Sequence, residues 1–121
     1  MTAMSPSLSN PSLLDQAHEL SAEITALRRA IHAEPEIGLQ TPLTRDKVRE
    51  ALAGLPLEWR EGPSTTGLVA VLKGGGGPGR RVLLRGDMDA LPMPEETGLP
   101  FASTVAGAMH ACGHDAHTAM L

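Results

Sequence analysis

Six apolar residues, Leu13, Ala17, Leu20, Ile24, Leu27 and Ile31, recur at alternating intervals of four and three. That period is one face of an α-helix, and it commits the start of the chain to a single long amphipathic helix. Ser12 is placed to cap it, with Asp15 three residues on completing a capping pattern at the positive end of the dipole. Arg28 and Arg29 suit the negative end, and Pro35 stops the helix because Glu34 before it is driven out of the α region. The stripe covers fewer than three heptads, so packing on the chain's own core is the better reading than a coiled-coil seam. His18 on this helix has no partner at a ligand spacing and reads as an exposed histidine.

A second helix is expected from Thr41, with Pro42 at the first helical position, where its missing N–H costs nothing. Leu43, Val48, Ala51, Leu52 and Leu55 give it an apolar side, and Gly54 and Pro56 end it. The period then shortens. Leu57 to Glu61 reads as a short strand, and Gly67–Lys73 and Arg81–Arg85, rich in Val and Leu, as two stronger ones. Between them lies GGGGPG, which matches G-x-G-x-x-G letter for letter. A phosphate-binding loop must lead from a strand into a helix, and this one leads toward another strand, so it reads as a flexible hairpin loop. Two helices, a strand meander and a loop into a last helix imply a mixed α/β layer arrangement.

Composition narrows the function. Trp59 and Phe101 are the one Trp and the one Phe and there is no Tyr, so stacking on bases or sugars is a poor binding mode here. The net charge is −4, with basic residues interleaved among acidic ones, which argues against a nucleic-acid footprint. No apolar run approaches the ~20 residues of a membrane span. The opening MTAMSPSLSNPS has neither the basic start nor the apolar centre of a secretory signal and is expected to be a disordered tail. The single cysteine, Cys112, excludes an internal disulfide and suits a reducing cytosol.

The chemistry gathers in the last third, RGDMDALPMPEETGLPFASTVAGAMHACGHDAHTAML. Asp87 and Asp89 project to the same side of a strand end, a costly pairing unless something cationic lies beside them. The bland alternative is an acidic turn leading into Pro92 and Pro94. Glu95 and Glu96 sit in a Pro/Gly loop and read as solvated surface. His110, Cys112, His114 and His117 are ligand types suited to Zn²⁺ and its first-row neighbours. Cys112 and His114 can converge if the cysteine lies in the loop and His114 opens a helix, with Gly113 permitting the turn. Alternatively, an earlier helix start would put His110, His114 and His117 on one face. Asp115 or Asp89 could orient an imidazole from behind. A buried cysteine among polar helix-start histidines remains the reading without a metal. A thiol redox role for Cys112 is disfavoured, because no resolving cysteine exists.

RGDMDALPMPEETGLPFAS and GAMHACGHDAHTAML closely resemble the amidohydrolases grouped with hippurate hydrolase, the indole-acetyl-amino-acid hydrolases and the N-acyl-amino-acid deacetylases, relatives of the aminoacylases and carboxypeptidase-G-type metallopeptidases. LRRAIHAEPEIGLQT resembles the family's Arg-x-x-x-His-x-x-Pro-Glu opening, and TTGLVAVLKG its first strands, so the likeness covers roughly residues 25 to 121. It implies the N-terminal portion of a layered α/β catalytic domain of zinc-exopeptidase type over residues 12–121, after a tail of residues 1–11. It implies Cys112 and His114 as metal ligands and Asp89 as the catalytic carboxylate that orients and polarises the site. Asp87 stands where wider relatives place a histidine ligand, Asp115 behind the ligands, and His32 in a supporting position.

The resemblance further implies hydrolysis of N-acyl amino acids or related small amides, with two divalent ions (Mn, Zn or Co) typically ~3.5–4 Å apart. The family's general-base Glu-Glu pair follows the Cys-Gly-His-Asp segment and does not correspond to Glu95 and Glu96. No general base is therefore expected within these 121 residues, and the isolated chain is expected to be inactive. The full-length enzyme is expected to be cytoplasmic and homodimeric, with no nucleic-acid or membrane partner. The competing expectation is a non-catalytic metal- or partner-binding module.

Overall fold

A computed structural model describes residues 10–121. Most of the expected tail, residues 1–9, lies outside the described residues, and Asn10 and Pro11 are exposed and irregular. Helix α1 spans Leu13–Ala33, α2 Pro42–Ala51 and α3 His114–Met120, with strands β1 (Leu57–Glu61) and β2 (Leu68–Leu72) between the second and third helices.

The start of α1 is capped as its sequence requires. Ser12 Oγ accepts the Asp15 N–H at 3.1 Å, and the Asp15 carboxylate accepts the Ser12 N–H at 3.1 Å. The helix ends at Ala33, two residues before Pro35. Its apolar stripe is only partly used. Ile31 is fully buried, whereas Leu13 and Leu20 remain 84% and 51% exposed. Length accounts for this: at 1.5 Å per residue α1 runs roughly 32 Å, and α3, the helix packed on it, roughly 10 Å. Only the C-terminal half of α1 is covered.

Helix α2 begins at Pro42 as expected, but its cap comes from elsewhere. Thr41 makes no side-chain cap. The Glu36 carboxylate instead accepts the N–H groups of Leu43 (3.1 Å) and Thr44 (2.7 Å) and the Thr44 hydroxyl (2.9 Å). A negative charge at a helix N-terminus also meets the favourable end of the dipole. Thr41 is buried too, its N–H donating to Thr66 Oγ1 at 2.6 Å. Pro35 and Glu36 thus end one helix and start the next.

Strands β1 and β2 pair antiparallel, with Leu57 opposite Leu72 and Glu61 opposite Leu68, and Trp59 lies under Arg49 at 5.3 Å. The third expected strand, Arg81–Arg85, does not form. Val82, Leu83 and Leu84 are 81%, 85% and 70% exposed, and none of the described segments pairs with them. Val/Leu content favours a strand only where a neighbour supplies the ladder and the covered face. Further on, pairing resumes in single steps. Ala90 bridges Ile37 in parallel and Leu91 bridges Met109 antiparallel, with Ala90 N–H to Glu36 O at 2.7 Å and Leu91 N–H to Met109 O at 2.9 Å. These bonds pin the backbone on either side of the segment that carries the chemistry.

Replacing Glu36 by Ala strips α2 of its cap and leaves the buried Thr44 N–H and hydroxyl unpaired. We expect a loss of about 1–2 kcal/mol in urea unfolding. A change under about 0.3 kcal/mol would show that water caps the helix equally well.

Candidate metal centre

Helix α3 opens at His114, immediately after Gly113 at φ 99°, a left-handed conformation that glycine adopts without strain. The later of the two helix starts allowed by the sequence is therefore the one formed. His114 and His117 share the helix, and His110 does not. The helix lies close against the chain at Gly86, where an added Cβ would stand 3.2 Å from His117 O and 3.2 Å from a Leu121 methyl carbon. A glycine here lets the backbone leading to Asp87 approach α3 this closely without pushing the His117 carbonyl aside. The Thr118 hydroxyl then donates to Asp87 O at 2.6 Å, fixing the two segments in register.

That docking brings four functional side chains together. His114 Nδ1 is 2.8 Å from Asp89 Oδ1 and 3.0 Å from Asp89 O, so this nitrogen carries the hydrogen and donates to both. The other ring nitrogen, Nε2, lies 3.4 Å from Asp87 Oδ2. His117 Nδ1 donates to Asp87 Oδ1 at 2.8 Å, and the two imidazoles are 5.6 Å apart, tilted by 32°. Asp87, His114 and His117 each offer a ligand atom, all within 4.8 Å of one another.

The electrostatics follow from these contacts. The His117 hydrogen bond, the largest influence, holds the Asp87 carboxyl below its ordinary value. For His114, burial is the largest single influence and pulls the pKa down, but the Asp89 hydrogen bond and the charges on Asp87 and Asp89 together raise it. Arg85 Nη1 also reaches Asp87 Oδ2 at 3.4 Å from a side chain that is mostly exposed, a contact that water and salt weaken. Cys112 is exposed and stands outside the converging group.

Behind the centre lies a buried polar knot. Asp115 is fully buried, and its Oδ2 accepts from Arg28 Nε and from His32 Nδ1, both at 2.8 Å. His32 Nε2 faces Glu95 Oε1 at 2.8 Å. One ring between two carboxylates satisfies both only when both nitrogens carry hydrogen. Glu95 also accepts the Ser103 N–H at 3.0 Å and the Thr97 hydroxyl. Its side chain is 2% exposed, which corrects the expectation of a solvated Glu95-Glu96 pair; Glu96 alone is exposed. The loop folds back over the end of α1, and a carboxylate can be buried there because it is hydrogen-bonded on both oxygens. Phe101 closes the knot, edge-on to His32 at 5.6 Å and under Arg29 at 4.7 Å. His110 is buried beside it with neither ring nitrogen paired, and burial, its largest influence, lowers its pKa.

The sequence pointed to His114, Asp89, Asp87 and Asp115, and the fold brings these into one neighbourhood. It did not assign His117 or the buried Glu95. The available signals were the three-residue step from His114 to His117 and the position of Glu95 one residue after Pro94.

Residues 83–121 match the peptidase family M20/M25/M40. An N-acyl-L-amino acid amidohydrolase of Geobacillus stearothermophilus is 46% identical over 103 residues, 85% of this chain and 28% of that protein. A Rhodococcus jostii protein named as a glutamate–cysteine ligase is 50% identical over 94 residues, 78% of this chain but 12% of that protein. Among solved structures, a Bacillus subtilis protein described as a dinuclear metal-binding peptidase of family M20 superposes with a TM-score of 0.76 at 40% identity, covering 84% of this chain and 28% of that one. The family resemblance read from the sequence is thereby borne out: the chain resembles the N-terminal part of the metal-dependent amidohydrolases of family M20, and its mixed α/β fold is theirs. It spans well under a third of the length of the curated relatives it matches (12% and 28% for the two named). None of its described helices is long and apolar enough to cross a membrane.

Asp115 and Glu95 make stability depend on pH. Burial, the largest influence on Asp115, raises its pKa, but the His32 hydrogen bond and the Arg28 charge outweigh it and hold it low. Glu95 is held low first by the Thr97 hydroxyl, then by the Ser103 N–H. A carboxyl with a folded pKa below its unfolded one stabilises the fold above the unfolded value, about 4, and ceases to as pH falls through the folded value. The thermal midpoint should drop as pH falls below about 4, with a shallower drop in Asp115→Asn. A midpoint that holds down to about pH 3 would contradict the paired state of both groups.

Proposed function

We propose that this chain supplies part of the active site of a metal-dependent amidohydrolase acting on N-acyl amino acids or related small amides. The observation that carries the reading is the Asp89–His114 contact at the end of the Asp-x-Asp segment. A carboxylate on one imidazole nitrogen, leaving the other free to face outward, is how proteins orient a histidine that binds a metal. The chemistry of the donors suits a divalent first-row ion: imidazole, carboxylate and, nearby in sequence, a thiol.

In this reading residues 12–121 are the N-terminal portion of a catalytic domain, and Cys112 and His114 hold the metal. When bound, the metal polarises the amide carbonyl and lowers the pKa of water. Asp89 is the catalytic carboxylate of the reading; it fixes the proton on His114 Nδ1 and strengthens Nε2 as a donor toward a ligand. Asp87 adds negative charge at the mouth of the centre. Asp115 holds α3 against α1 through Arg28 and His32, so that His114 cannot turn away from Asp89. The relatives' names and the dinuclear character of the solved neighbour support two ions and an N-acyl amino acid substrate. Mn²⁺, Zn²⁺ and Co²⁺ are the ions to test. A homodimeric, cytoplasmic enzyme belongs to the same reading.

A second reading, a metal- or partner-binding module without catalysis, is favoured by one observation: the exposed apolar run Val82–Leu84 offers the isolated chain a surface for association.

The test is a chimera in which this chain replaces the matching segment of the Geobacillus stearothermophilus amidohydrolase. With Mn²⁺, Zn²⁺ or Co²⁺ it should hydrolyse N-acetyl or N-benzoyl amino acids. Asp89→Asn should lower kcat/KM by about 10–100-fold by disturbing His114, and His114→Ala should abolish turnover. The 121-residue chain alone should show no hydrolysis. A folded, metal-loaded chimera without activity would favour the second reading.

A further inference from the structure

Residues 92–108 form a loop whose two feet lead into the chemistry. Leu91 N–H donates to Met109 O at 2.9 Å and Met109 N–H to Leu91 O at 3.0 Å, and this reciprocal pair closes the loop. Asp89 lies two residues before Leu91, and Cys112 three residues after Met109. The closure of the loop therefore helps to set how Cys112 stands relative to Asp89. Two backbone hydrogen bonds are a weak clasp, because closing a loop costs entropy that grows with its length. We infer that Glu95, from inside this loop, is a positioning residue for the metal centre, fixing the span between the Asp-x-Asp segment and Cys112. The inference rests on the proposed function for the identity of what is positioned.

Glu95 reaches each part that the loop must hold. It sits on the early limb, and its Oε1 accepts the N–H of Ser103 on the late limb at 3.0 Å, a strut across the loop. The same oxygen takes the Nε2 hydrogen of His32 at 2.8 Å, which fastens the early limb to the last turn of α1. One residue further along α1, Ala33 O accepts both the N–H and the hydroxyl of Thr104, each at 2.8 Å, and fastens the late limb. His32 in turn holds Asp115, the neighbour of His114. The other Glu95 oxygen accepts the Thr97 hydroxyl, so the buried carboxylate is engaged on both sides. Among the described residues its hydrogen bonds go to the loop and to α1, and none goes to Asp87, Asp89 or His114. Glu95 therefore acts on the centre by holding backbone in place, and burying its charge is tolerable only because these partners are all present. Its neighbour Glu96 is exposed and serves as an internal control.

The test uses the chimera described above, carrying Glu95→Ala, Glu95→Gln or Glu96→Ala, with folding checked by circular dichroism. Without metal, hydrogen exchange at the Leu91 and Met109 N–H groups should quicken by at least about tenfold in Glu95→Ala and stay unchanged in Glu96→Ala. With Co²⁺, the sulfur-to-metal absorption band of Cys112 should weaken or shift in Glu95→Ala. Metal affinity and kcat should fall by about 10–100-fold, the loss typical of removing a supporting partner. Glu95→Gln keeps an oxygen toward Ser103 and an amide toward Thr97, and should lose less on every readout. If Glu95→Ala does not fold, Glu95→Gln carries the comparison with Glu96→Ala, and a Gln variant indistinguishable from the parent overturns the inference. If Glu95→Ala lowers the thermal midpoint but leaves the two foot amides, the cobalt band and kcat unchanged, Glu95 merely stabilises its loop. The inference then fails while the proposed function stands. Equal damage from Glu96→Ala would also overturn it. A parent chimera that binds no metal overturns the proposed function, and this inference with it, before any variant is compared.

Discussion

A fully buried carboxylate, Asp115, ties the third helix to the first, and the candidate centre depends on that tie. Helix α3 has seven residues, too few for backbone hydrogen bonds alone to hold it. It is stable only through what it packs on. Asp115 draws Arg28 and His32 from α1 onto the first turn of α3, and Gly86 lets the backbone leading to Asp87 approach from the other side. The helix is therefore clamped between α1 and the Gly86–Asp89 segment. Removing one partner from such a buried charged group leaves the others unpaired, at a cost of about 3–5 kcal/mol.

The clamp explains why structural and chemical residues alternate along so short a stretch. His114 faces Asp89, Asp115 faces inward to α1, His117 faces Asp87, and Thr118 bonds the Asp87 backbone. The helical turn sends successive residues to different neighbours, so each element around α3 is engaged by its own side chain. Glu36 works similarly at the other end of the assembly. Its carboxylate starts α2, and its carbonyl holds the N–H of Ala90, next to Asp89. The Pro-Glu pair thus joins helix order to the placement of the Asp-x-Asp segment.

Features governed by local physics were legible in the sequence. The Ser12–Asp15 cap, the stop before Pro35, Pro42 at the start of α2 and the strands at 57–61 and 68–72 follow from dihedral preferences and apolar period. Features governed by a distant partner were not. Arg81–Arg85 has strand composition but no strand beside it among the described residues, and the upper stripe of α1 has no helix long enough to cover it. Glu95 looked like loop surface because its partners, His32 and Ser103, are remote or on the far side of the same loop. His117 shows the same limit within the site. Three residues after His114, it was visible as a neighbour on a helix, but its convergence with Asp87 depends on the close approach at Gly86.

The central claim is that Asp89 fixes the His114 ring with its hydrogen on Nδ1 and its free nitrogen toward Asp87. Ring ¹⁵N spectra of His114, recorded near neutral pH before and after Zn²⁺ addition, test it most directly. The account predicts a hydrogen-bearing Nδ1 coupled to a carboxylate in both states, with the metal-induced shift confined to Nε2. A hydrogen on Nε2, or a metal shift at Nδ1, would contradict it.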